Sequence, residues 1–159
     1  MWCLPPTGIS ITSPYFVPDD SLLYAITTAA QRGIDVELFV GEQGDQFMVH
    51  HAQCSHYKTL LSAGVKIYLY PAPFVLHSKH FAVDDDVAVI GSSNLDIRSF
   101  SLDLEISVMC VSRSLTTAMR QVEGHYRSLS HELTLQEWLQ RPLGKRYIDN
   151  VMRLTSALQ

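Results

Sequence analysis

The sequence predicts an α/β domain: a mixed β-sheet flanked by helices on both faces. Apolar runs of strand length recur at 9–12, 34–40, 65–70, 76–83, 87–90 and 104–111. Stretches with helical spacing of apolar residues separate most of them, after 18–21, over 46–63 and over 115–129. A sheet whose strands alternate with helices buries both faces under those helices.

The elements follow in order. Residues 9–12 read as a strand closed by Ser13 and Pro14. Asp19 and Asp20 can cap free backbone N–H groups and complement a helix dipole. Leu22, Leu23, Ile26, Ala29 and Ala30 then share a helical face, and Gly33 ends that helix. Asp35 and Glu37 alternate with apolar residues over 34–40, as in a strand. A helix over 46–63 stops at Gly64, and 65–70 returns as a strand before Pro71 and Pro73 break the chain. Strands at 76–83 and 87–90 pair as a hairpin across Asp84, Asp85 and Asp86. A polar loop over 91–101 leads to a strand at 104–111, then to the helix at 115–129. The start, 1–8, reads as irregular, and 132–159 as a helical tail; with no linker or repeat, 1–159 is one domain.

Composition bounds the function. Of 159 residues, 47% are apolar and 18% charged, enough to bury one core. The net charge is −4 with no Lys/Arg-rich block. That disfavours a nucleic-acid partner, whose phosphates dominate affinity, and offers no polybasic lipid anchor. No apolar run reaches the roughly eighteen residues of a membrane span, and the N-terminus lacks the pattern of a signal peptide. Three widely spaced cysteines fit buried thiols better than a disulfide framework.

The chemistry concentrates after residue 76. On a strand, residues two apart share a face, so His77 and Lys79 project together while Ser78 and His80 point away. Lys79 can neutralise phosphoryl oxygens, and His77 can attack phosphorus or shuttle a proton. Ser92, Ser93 and Asn94 follow Gly91 and can donate to nonbridging oxygens. Glu105 can orient the imidazole of His77 as the acid of a triad does. Asp84 has the opposite strand parity and is expected to tie down the turn.

His77, Lys79, Asp84, Gly91, Ser92 and Asn94 fit H-x-K-x4-D-x6-G-S-x-N. This resembles the HKD signature of the phospholipase D superfamily. Segments 12–19, 29–36, 63–68, 94–100 and the tail from Arg141 resemble the C-terminal half of bacterial cardiolipin synthases. The resemblance implies a phospholipase D-like half-domain with a catalytic set of His77, Lys79, Glu105 and the motif's Asp84. It implies phosphate binding by Lys79, Ser92 and Asn94, and no cofactor or metal. Tyr15 and Phe16 are candidate lipid contacts or core residues; Arg98 is a candidate headgroup contact or a loop ion pair.

The activity implied is a phosphatidyltransferase joining two phosphatidylglycerol molecules through a phosphohistidine, giving cardiolipin and glycerol. Alternatives are a phospholipase D hydrolase, a dimeric single-HKD nuclease, or an inactive fragment. The family carries two H-x-K motifs and this chain one. The expected partner is therefore a second copy or a missing N-terminal half. The expected place is the cytoplasmic side of the membrane, peripherally bound.

Overall fold

A computed structural model describes residues 7–44, 46–96, 99 and 103–153, except the side chains at 143, 145, 146, 150 and 153. The strands are β1 (Gly8–Thr12), β2 (Phe16–Val17), β3 (Asp35–Gly41), β4 (Lys66–Tyr70), β5 (His80–Val83), β6 (Val87–Gly91), β7 (Leu95–Asp96), β8 (Ser107–Val111) and β9 (His131–Leu133). The helices are α1 (Asp20–Gln31), α2 (Phe47–Ala63), α3 (Arg113–Leu129), α4 (Leu135–Leu139) and α5 (Leu143–Arg153).

Seven strands form one mixed sheet in the order β8-β6-β5-β1-β3-β4-β9. β1, β3 and β4 run parallel, as the helical crossovers between them require. β5, β6, β8 and β9 add antiparallel at the flanks. Alternation along β3 sends Val36, Leu38 and Val40 into the core under α1 and α2, with Ile26, Tyr57 and Leu60. The opposite parity sends Glu37 and Phe39 to α3, where Arg127 Nε donates to Glu37 at 2.9 Å and Phe39 stacks on Tyr68. The predicted α/β sheet with helices on both faces is what forms.

The helix ends follow local chemistry. Asp19 accepts the Leu22 N–H at 2.8 Å as N-cap of α1. Gly64 ends α2 at φ 98°, a left-handed conformation that costs glycine no Cβ clash.

Several boundaries differ from the sequence reading. The 91–101 loop contains β7, which pairs with β2 in a separate two-stranded sheet. Two-residue strands are too short to show a period. The strand expected over 76–83 begins only at His80, and the one expected over 104–111 only at Ser107. Gly8, expected in an irregular start, opens β1 opposite Asp35; residues 1–6 of that start lie outside the described residues. The tail opens as β9, with buried Leu133 opposite Ile67, before its helices begin. Among the described residues, no helix is long and apolar enough to cross a membrane.

Candidate active site

The hairpin of β5 and β6 places the first functional groups. Beyond its last pair, His80 with Ile90, the Gly91 N–H donates to the Lys79 carbonyl at 3.1 Å. Gly91 has no room for a side chain: a Cβ there would lie 2.7 Å from the Ile106 carbonyl oxygen and 2.2 Å from Ser107 Oγ. That close approach presses the 91–94 loop against the chain entering β8. The Ser92 N–H donates to the Ile106 carbonyl at 3.0 Å, and the Ile106 N–H donates back to Ser92 Oγ at 3.2 Å.

His77 and Lys79 come together as strand parity predicts. Lys79 Nζ lies 3.3 Å from His77 Nε2 and 3.4 Å from Nδ1, and it donates to the His77 carbonyl at 3.2 Å. The imidazole is exposed, so it can meet a ligand. Partial burial lowers the pKa of Lys79, while the carboxylates of Glu105 and Asp96 oppose that shift. Both carboxylates therefore reach the site electrostatically, and Asp96 was not singled out from the sequence.

Glu105 takes a different partner from the one expected. Its carboxylate accepts the Ser92 hydroxyl, and no hydrogen bond links it to His77. It precedes β8, so it lacks the strand parity that would have aimed it at the imidazole. The direct polar neighbour of the His77 ring is Lys79.

The parallel pairing of Phe16 with Leu95 and Val17 with Asp96 draws the 12–17 segment against the loop. The Leu95 N–H donates to Ser13 Oγ at 3.2 Å. One cavity of about 100 Å³ is lined by Thr12, Lys79, Phe81, Gly91, Ser93 and Ser107. A neighbouring one of about 120 Å³ is lined by Tyr15, Gln46, Asn94, Asp96, Ser99 and Asp103. Thr12 Oγ1 and Asn94 Oδ1 are buried without a hydrogen-bond partner. Such groups are costly unless something pairs with them, and both line these cavities. Thr12 carried no signal in the sequence beyond its strand.

Two expected residues sit elsewhere, and a third cannot be placed. Phe16 is fully buried in the α1/α2 core, so it is no lipid contact; its N–H donates to Gln53 at 2.9 Å. Asp84 lies beyond the far end of β5, away from Lys79. Its carboxylate accepts the Thr7 N–H at 2.7 Å, the Thr7 hydroxyl at 2.9 Å and the Gly8 N–H at 2.9 Å. Burial raises its pKa, but these bonds and Arg120 outweigh that and lower it overall. Its φ of 49° marks it as the turn residue. Arg98 lies outside the described residues.

Across the sheet, His80 and Glu123 form a buried polar cluster that the sequence reading left unassigned. His80 Nε2 is 3.4 Å from Glu123 Oε1, and Arg120 Nη1 donates to Glu123 Oε2 at 3.0 Å. The Ser10 hydroxyl also donates to Glu123. Burial raises the Glu123 pKa, yet His80, Ser10 and Arg120 more than offset it and hold the carboxylate ionised.

An ammonium against an exposed imidazole, beside a hydroxyl- and amide-bearing loop, suits a phosphodiester. The family described as "Cardiolipin synthase, PLD-like domain" matches residues 7–129. Cardiolipin synthase A of Wigglesworthia glossinidia brevipalpis is 39% identical over 148 residues, covering 93% of this chain and 30% of that protein. Its counterpart in Klebsiella pneumoniae is 38% identical over the same coverage. The chain thus spans about 30% of the length of these curated relatives. The phosphatidylserine synthase of Haemophilus influenzae superposes with a TM-score of 0.74 at 19% identity, over 96% of this chain and 42% of that one. Nuc, a phospholipase D family member from Salmonella typhimurium, gives 0.71 at 18% identity, over 81% and 83%. At such identities the solved structures establish a shared fold.

Proposed function

The chain belongs to the family of cardiolipin synthase, phospholipase D-like domains, and from that premise we propose that it carries half of a phosphatidyltransferase site. The observation that carries the proposal is Lys79 Nζ within 3.4 Å of both ring nitrogens of His77, beside the Gly91–Ser92 turn. Lys79 and Asn94 bind the phosphate of a phosphatidylglycerol, and Ser92, expected from the motif to share that role, instead gives its hydroxyl to Glu105 and braces the loop that carries Asn94. His77 attacks phosphorus; the P–N bond forms as the P–O bond to glycerol breaks. A counterpart histidine gives its proton to the departing alkoxide. That counterpart then takes the proton from the hydroxyl of a second phosphatidylglycerol, whose oxygen attacks phosphorus and frees His77. The products are cardiolipin and glycerol.

Glu105 acts in this scheme through Ser92 and through its field on Lys79, rather than on the imidazole. Neither His80, which faces Glu123 on the other side of the sheet, nor His51 of α2, engaged by Asp149 of α5 at 2.6 Å, is placed to be that counterpart. A second copy, or another part of a longer protein, supplies it. The uncharged edge strand β8 supports a protein neighbour: Val108, Met109 and Val111 are exposed there, and Leu104 and Ile106 just before it. Unguarded edges of this kind are normally covered. That neighbour would also exclude water, favouring an alcohol acceptor over hydrolysis. A lipid substrate supports peripheral binding at a membrane surface, and the proposed side is the cytoplasmic one.

Radiolabelled phosphatidylglycerol tests the proposal. Labelled cardiolipin should form with the chain in its complete assembly and vanish in His77→Ala. Release of phosphatidic acid alone would make the enzyme a hydrolase, and turnover unaffected by His77→Ala would remove the mechanism.

A further inference from the structure

Residues 75–79 lie outside the regular ladder, and the bond from Gly91 to the Lys79 carbonyl is their tie to β6. A segment so lightly paired needs another anchor if His77 and Lys79 are to stay in one geometry. Ser78, between them, points to the opposite face. Its hydroxyl lies 2.8 Å from His80 Nδ1. His80 is 7% exposed, and its Nε2 faces Glu123, which is fully buried. Glu123 is fixed by Ser10 and by Arg120, whose Nη2 donates to the Asp84 carbonyl at 2.8 Å.

We infer that His80 and Glu123 are positioning residues that hold the His77–Lys79 pair from the far face of the sheet, through the Ser78 hydroxyl. The inference rests on the phosphate-binding site proposed above. With Glu123 facing Nε2 at 3.4 Å, Nδ1 is the ring nitrogen that meets the Ser78 hydroxyl, at 2.8 Å. The chain of contacts runs from the Asp84 turn through Arg120, Glu123 and His80 to Ser78. A cluster serving only the core would have no reason to end on the residue between the two functional groups. His80 Nε2 meets Glu123 at ion-pair distance, 3.4 Å, rather than through a hydrogen bond, so the tie to Ser78 rests on the 2.8 Å Nδ1 contact and on the burial of both groups.

The test compares the full chain with Ser78→Ala, His80→Ala and His80→Gln, each checked for cooperative unfolding. Two readouts are made by NMR: the line widths and shifts of the His77 imidazole, and its response to titrated inorganic phosphate. Ser78→Ala removes one partly buried hydroxyl and should fold. It should broaden the His77 signals and weaken phosphate binding roughly tenfold, the loss of about one well-placed hydrogen bond. His80→Gln should restore part of what His80→Ala loses. Unchanged His77 signals in folded Ser78→Ala overturn the inference, because nothing then passes through the hydroxyl. A wild-type chain that binds no phosphate contradicts the functional reading instead, and the His77 line widths still decide the positioning.

Discussion

Replacing Gly91 by alanine puts a methyl carbon where the chain leaves no space. Its nearest backbone neighbour is the Ile106 carbonyl oxygen at 2.7 Å, and ordinary contact begins at 3.4 Å, so the strand must retreat by about 0.7 Å. Ser107 Oγ at 2.2 Å can rotate away, but the carbonyl cannot. The same carbonyl accepts the Ser92 N–H at 3.0 Å, and the Ile106 N–H reaches Ser92 Oγ at 3.2 Å. Losing both costs about 1 kcal/mol each. Forcing the methyl in adds about 1–3 kcal/mol. The expected total is about 3–5 kcal/mol, a large part of a typical 5–15 kcal/mol. The midpoint of thermal unfolding should fall on the order of 10 °C. Urea unfolding followed by circular dichroism measures the lost free energy, and a thermal scan measures the midpoint. The double variant Gly91→Ala/Ser107→Gly relieves only the hydroxyl contact and should recover less than half. A loss under about 0.5 kcal/mol, ordinary for a surface change, would refute the claim that this close approach sets the loop.

Further outcomes follow from the same geometry. Asp84→Ala should cost about 1–3 kcal/mol through its lost bonds to Thr7 and Gly8. Its activity should fall no further than its folded fraction; a loss rivalling His77→Ala at wild-type stability would restore Asp84 to the catalytic set. Lys79→Met should abolish inorganic phosphate binding by titration calorimetry while leaving the fold intact, and retained affinity would mean the phosphate sits elsewhere. Glu123 has a lowered pKa in the folded chain, so its stabilisation is full above the ordinary Glu value of about 4.3 and is lost as pH falls through the folded value. Glu123→Gln should therefore flatten the acid limb of a stability–pH curve, and an unchanged limb would show that its network contributes nothing there. Val111→Lys on exposed β8 should weaken self-association in light scattering; wild-type chain that stays monomeric at every concentration would rule out a second copy as the neighbour on β8.

Local patterns carried much of this fold. Alternation over Val36, Leu38 and Val40 fixed the face of β3, and Gly64 stopped α2 as glycine does. The H-x-K spacing likewise brought His77 and Lys79 to one side, although the regular strand begins one residue later. What was not legible depends on partners distant in sequence. Glu105 was expected against His77, but the chain enters β8 after it, and Ser92 reaches it first. Phe16 could have faced lipid or core until β7 paired with its strand and turned it inward. Glu123 meets Ser10 across 113 residues, and no helical periodicity on α3 announces that. His131 to Leu133 became an edge strand because Ile67 offered a free ladder, a choice made by tertiary context.

In the proposed mechanism His77 is a nucleophile at phosphorus in a site that is half complete. A phosphodiester carrying p-nitrophenolate tests it most directly, because that leaving group departs without a proton from the counterpart histidine. A burst of at most about one p-nitrophenolate per chain is expected, with a phosphoryl adduct on the peptide containing His77 and no adduct in His77→Asn. Release that persists in His77→Asn, or a folded wild-type chain with neither burst nor adduct, would contradict it.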